Sequence, residues 1–99
     1  MIRHTVFFKF KENNGLTISR ICADVKQRFE ELPRKITFIK HLVCGVDFLH
    51  SLKSFDLVLQ VDFDSVDDLN KYQTNPSHLE IAMFMQPYKT EAAVVDFNF

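Results

Sequence analysis

The order and patterning of apolar residues predict an α+β, ferredoxin-like protomer, β-α-β-β-α-β, whose four-stranded antiparallel sheet carries its helices on one face. Three observations carry this expectation. Residues 2–11, 36–46, 55–63 and 91–99 are rich in β-branched and aromatic side chains and alternate with a period of two. Residues 18–32 and 66–85 repeat with helical spacing instead. The two helical stretches follow the first and third β segments.

In the first strand, His4, Val6, Phe8 and Phe10 share one face, and Arg3, Thr5, Phe7, Lys9 and Lys11 share the other. Glu12-Asn13-Asn14-Gly15 is a turn by composition. Beyond it, Ile18, Ile21, Cys22, Val25, Phe29 and Leu32 form the stripe of an amphipathic helix, with Thr17 as N-cap and Pro33 as its stop. The second β segment sets Lys40, Leu42, Cys44 and Val46 against Ile39, His41, Val43 and Gly45. Neither of its faces is cleanly polar, and Gly45 marks a bulge or a close backbone approach.

After a loop from Phe48 to Ser54, the third strand places Phe55, Leu57, Leu59, Val61 and Phe63 inside. Ser65 then caps a helix in which Val66, Leu69 and Tyr72 recur at threefold spacing. Asn75-Pro76 stops this helix and starts another, because an Asn cap followed by Pro at the first helical position suits a helix N-terminus. His78 thereby enters the first turn of a helix running through Phe84. The last strand alternates Ala93, Val95, Phe97 and Phe99 with Ala92, Val94, Asp96 and Asn98.

A chain of 99 residues predicts one domain, residues 1–99, and a domain this small buries only roughly 60–68% of its unfolded surface. The 11 phenylalanines are ample for its core, and two Gly with three Pro leave no room for a low-complexity segment. A net charge of −1, with both signs interspersed, offers no stripe for phosphate backbones, so nucleic acid is not expected as a partner. No apolar run approaches the ~20 residues of a membrane span, and His4 and Lys9 break the N-terminal segment, so neither membrane association nor secretion is expected. A cytoplasmic protein is the expectation. Cys22 and Cys44 lack CxxC spacing and read as buried free thiols. With no HxH pair and no Gly-rich phosphate loop, neither a metal nor a cofactor is expected. The acidic run Asp62, Asp64, Asp67, Asp68 reads as a solvated helix start.

Helices on one face leave the other face of the sheet bare. Its expected residues, Thr5, Phe7, Leu42, Val58, Gln60 and Val94, are too apolar for water. A second copy is the expected cover, making a homodimer through the sheet face.

Tyr72 and His78 meet near the Asn75-Pro76 break. A neutral imidazole accepts a proton from a carbon acid while a phenol donates to the developing enolate oxygen, so this pair suffices for enolisation, isomerisation or aldol closure. The expected pocket adds His4, Val6 and Phe8 from the first strand and Ile21, Val25 and Phe29 from the first helix, sized for a small aromatic ligand. A structural alternative stands beside it: His78 satisfies polar groups at a helix start, Tyr72 packs in the core and His4 is a satisfied core histidine.

Taken together, several segments resemble the stress-responsive α/β-barrel (Dabb) domains: Ile2-Arg3-His4-Thr5-Val6, Phe8-Lys9-Phe10-Lys11, Gly45, Phe55-Asp56, Val61-Asp62-Phe63, Tyr72, Asn75-Pro76-Ser77-His78-Leu79, Pro87-Tyr88 and Val94-Val95-Asp96-Phe97. The resemblance covers nearly the full length. It implies a ferredoxin-like protomer whose sheets pair face to face in a homodimeric barrel. Many members of that family have no known activity, some plant members are stress-induced and very stable, and some plant members are polyketide cyclases that close rings by an aldol-type reaction without cofactor. In those cyclases a Tyr and a His at the positions of Tyr72 and His78 act as the acid-base pair, and a His at the position of His4 lines the same pocket. This sequence reads NPSH where family members often read HPAH, which replaces a His with Asn75 and keeps His78. The helix-one positions match poorly, so no substrate carries over. Two functions follow: a cofactor-free lyase, cyclase or isomerase, or monooxygenase, acting on an aromatic or polyketide-like molecule, and a non-catalytic stress-related or ligand-binding homodimer.

Overall fold

The computed structural model describes residues 1–99. Its elements are β1 (Ile2–Phe10), α1 (Ile18–Glu30), α2 (Leu32–Lys35), β2 (His41–Val46), β3 (Leu57–Phe63), α3 (Val66–Thr74), α4 (Pro76–Met85) and β4 (Lys89–Asn98). The strands form one antiparallel sheet in the order β2-β3-β1-β4, the ferredoxin-like arrangement expected.

Local chemistry sets the helix boundaries. The Thr17 hydroxyl accepts from the Arg20 N–H at 3.2 Å, and the Ser65 hydroxyl accepts from the Asp68 N–H at 3.2 Å, so each cap satisfies a donor that the first helical turn leaves free. Pro33 differs from expectation. The first helix already ends at Glu30, and Pro33 sits in the first turn of α2, where its missing N–H costs no helical hydrogen bond. The second strand is also shorter than expected and begins at His41. Ile36 caps α2, and Ile36 and Ile39 are buried core residues of the connection.

The inner face of the sheet carries rows Leu42-Val61-His4-Asp96 and Cys44-Leu59-Val6-Val94, and on it β1 and β3 are buried beneath the helices. The open face carries rows His41-Asp62-Arg3-Phe97, Val43-Gln60-Thr5-Val95 and Gly45-Val58-Phe7-Ala93. Three face assignments are thereby corrected. Leu42 lies beside Val61 on the helix side, and Val94 lies beside Val6 there, so Val43 and Val95 take their places on the open face. Phe55 precedes β3 and packs its ring against open-face Phe7, with centroids 5.9 Å apart. Gly45 makes no bulge, since the β2–β3 register is regular; a Cβ there would meet Val58 Cγ1 at 3.4 Å.

The core joins the inner strand residues to Ile21, Cys22, Val25 and Phe29 of α1 and to Leu69, Tyr72, Ile81 and Met85 of α3 and α4. Both cysteines are free and buried. Burial raises their thiols, Cys22 to about 11 and Cys44 to about 12. No helix is long and apolar enough to cross a membrane.

Candidate acid-base site

Seven consecutive residues, 72–78, build the corner. Asn75 has an extended backbone, as a residue before Pro must, and serves both helices at once. Its N–H donates to the Tyr72 carbonyl at 3.1 Å, ending α3, and its side-chain oxygen accepts from the Ser77 N–H at 2.9 Å, starting α4. His78 is half-buried, with its ring centroid 4.5 Å from that of Tyr72. His4 approaches Tyr72 from β1 with centroids 6.1 Å apart in an edge-on arrangement, and Phe63 closes another side at 5.1 Å.

Hydrogen bonding decides the tautomers. The Gln73 carbonyl can only accept, so His78 Nδ1, 3.2 Å away, carries the proton and donates. The neutral ring then keeps its lone pair on Nε2. Burial lowers the His78 pKa below the ordinary histidine value; the nearby His4 lowers it further, and the Gln73 carbonyl opposes both. At neutral pH His78 is therefore a base. His4, itself buried, donates from Nδ1 to Asp96 Oδ1 at 2.5 Å, directly across the β1–β4 ladder. Asp96 is not among the site residues expected from the sequence, because 92 residues separate it from His4 and only the strand register brings them together.

Tyr72 is 0% exposed, and its hydroxyl has no hydrogen-bond partner in the protein. Burial raises its pKa well above the ordinary phenol value, with a smaller contribution from Cys44, so it stays a proton donor. A buried polar group left unpaired costs about 1–3 kcal/mol, so it calls for a cause, either a functional role, a bound water or strain; Thr5 Oγ1 is likewise unpaired.

The structure thus brings His4, Tyr72 and His78 together. Val6, Phe8, Ile21, Val25 and Phe29 pack as continuous core around the same region, each at most 6% exposed, with Phe8 and Phe29 stacked at 6.1 Å. A cleft of about 530 Å³ lies elsewhere, beneath the β2–β3 loop on the open side of the sheet. No group of three or more His, Cys, Asp or Glu side chains is placed to hold a metal ion.

Fold and corner together define a ferredoxin-like α+β protein with an imidazole-phenol pair on the helix side of its sheet. The profile of the stress-responsive A/B barrel domain, Dabb, matches residues 2–99, and the chain belongs to that family. Among solved structures, a dimeric ferredoxin-like protein of unknown function from Bacteroides fragilis is 26% identical, with a TM-score of 0.87 over 99% of this chain and 95% of that one. A dimeric ferredoxin-like protein of unknown function from Thermobifida fusca is 24% identical, with a TM-score of 0.82 over 99% and 90% of the two chains. A hydroxynitrile lyase from Passiflora edulis is 21% identical, with a TM-score of 0.77 over 97% and 90%. At such identities the last two show likeness of fold. The sequence has no significant match among curated proteins.

Proposed function

We propose that this protein is a homodimer that performs cofactor-free acid-base chemistry on a small aromatic or polyketide-like carbonyl compound, with His78 as base and Tyr72 as oxyanion donor. The observation that carries the reading is the buried Tyr72 hydroxyl with no protein partner beside an imidazole held neutral. His78 Nε2 takes a proton from the carbon next to the carbonyl, and the C–H electron pair becomes the enolate double bond. The carbonyl π pair moves to oxygen, where the Tyr72 O–H donates to it. In an aldol closure the enolate carbon attacks a second carbonyl, whose oxygen then takes the proton from His78. His4, oriented by Asp96, is a second polar contact for the substrate. Because Tyr72 is closed off, a substrate reaches it by displacing the corner between α3 and α4, and Val6, Phe8, Ile21, Val25 and Phe29 wall the pocket so opened. The lyase among the fold neighbours supports chemistry of this kind on this scaffold.

Pairing through the open face is supported by its apolar rows, with Val43, Val95 and Phe97 all more than 40% exposed, and by neighbours described as dimeric. The closed packing around Tyr72 favours a second reading, a non-catalytic dimer whose function is stability or ligand binding. Solvent deuterium exchange into the α-position of a panel of aromatic ketones and triketides, followed by NMR, separates the two. Catalysed exchange that falls roughly 10²-fold or more in both His78→Ala and Tyr72→Phe supports the enzyme. Exchange indifferent to both substitutions leaves the scaffold.

A further inference from the structure

Two sheets that pair through the same face are related by a two-fold axis lying between them. A rotation that lays a whole face on its copy maps that face onto itself, so the centre of the face lies on the axis and the residues there meet themselves. β3 and β1 are the inner strands of the order β2-β3-β1-β4, and Val43-Gln60-Thr5-Val95 is the middle one of the three open-face rows. The centre is therefore the pair Gln60 and Thr5, directly opposite each other across the β1–β3 ladder.

Polar groups elsewhere on these rows are answered within the protomer or stand at its rim. The Arg3 guanidinium donates to Asp62 from Nε at 2.8 Å and from its terminal nitrogen at 3.0 Å. His41 stands exposed on β2, an outer strand, and the row Gly45-Val58-Phe7-Ala93 is apolar. At the centre, Thr5 is 6% exposed and its hydroxyl has no partner. Gln60 beside it is half-buried and carries both donors and an acceptor. The backbones of sheets packed face to face stand about 10 Å apart, a gap that two glutamine side chains reaching from opposite sides close. An amide is its own complement under two-fold rotation, because each copy offers the donor that the other copy's oxygen accepts.

We propose that Gln60 and Thr5 set the register of the dimer: at the two-fold axis the Gln60 amide of each protomer hydrogen-bonds to the Gln60 and Thr5 side chains of the second copy. The Thr5 hydroxyl turns toward that amide by a change of χ1 rotamer alone. A lone polar pair at the centre of an apolar interface excludes slipped pairings, since a slip leaves both groups buried without partners. This register rests on the pairing of the open face and is independent of the acid-base corner.

The test is a charge swap at the axis. Full-length Gln60→Glu and Gln60→Lys are compared with the wild type by light scattering at neutral pH, with circular dichroism to check the fold. Each variant alone brings like charges together and should be monomeric, near 11.6 kDa, while their equimolar mixture should return to twice that mass. Mixing restores the dimer only when the substituted residue faces its own copy. Thr5→Val exchanges the hydroxyl for a methyl of nearly the same size and should raise the dimer Kd roughly fivefold, because the amide of the second copy loses its partner. A monomeric wild type overturns the open-face pairing and the register with it. With a dimeric wild type, the register is overturned by variants that dimerise alone, by a mixture that stays monomeric, or by a Thr5→Val dimer tighter than the wild type.

Discussion

Tyr72→Phe removes one oxygen atom and should make the protein more stable while removing the proposed chemistry. The hydroxyl is buried without a protein partner, and an unpaired group of this kind costs about 1–3 kcal/mol. Against this stands the void left by a single oxygen, on the order of 10 Å³, which at about 24 cal/mol per Å³ costs only about 0.2 kcal/mol. The net change is a stabilisation of about 1 kcal/mol or more. For a domain of this size each kcal/mol moves Tm by roughly 4–8 °C, so thermal unfolding of the variant should shift upward by at least about 4 °C. The scan should be run at fixed protein concentration, because dimerisation makes Tm concentration-dependent. The aromatic contacts with Phe63 and His78 use the ring and survive the substitution. A downward shift of 4 °C or more would refute the reasoning, since it would mean that the hydroxyl holds a structural hydrogen bond. A gain in stability together with lost turnover is the pattern of a functional site that carries strain.

Four further outcomes are expected. Val95→Asp puts a carboxylate on β4, the outer strand of the open face, and should convert the proposed dimer to monomer by light scattering, because a buried unpaired charge costs about 3–5 kcal/mol; an intact dimer would mean that a different surface pairs. If His78 is the base, the rate should rise with pH with its midpoint below the ordinary histidine value of 6.5, and show no alkaline limb near 10, because the Tyr72 pKa is raised; a rate-pH profile that climbs only above pH 7 would count against His78 as base. The same shift bears on stability: with the folded pKa below the unfolded one, the unfolded chain binds more protons between them. The His78 contribution is therefore complete above pH 6.5 and is lost as pH falls through the folded value, which urea denaturation across pH 5–7 should show against His78→Gln. Cys22 and Cys44, buried and with raised pKa values, should resist a disulfide reagent at pH 8 until the chain is unfolded; rapid labelling of the native protein would contradict their placement.

Much of the architecture is written locally in the chain. The alternation from Leu57 to Phe63, the stripe of α1, and the caps Thr17, Ser65 and Asn75 each depend on residues within a few positions of one another, so the element order and the Tyr72/His78 corner are legible without coordinates. Asn75-Pro76 alone determines that α3 stops and α4 begins with His78 in its first turn. Period-two alternation, however, sorts strand residues into two sets without saying which set meets the helices. Where one set is plainly polar the choice is evident; in β2 and β4 each set mixes apolar with polar or small residues, so the pattern places Leu42 and Val94 on the wrong side. Every residue of β4 is exposed in the protomer, so the strand carries no burial signal from which to choose a face. Only the register against β1 places Val95 on the open face and brings Asp96 to His4. The cleft under the β2–β3 loop likewise depends on Phe7 and Phe55 meeting across the sheet, a non-local contact that backbone hydrogen bonding between strands creates and that no sequence period encodes.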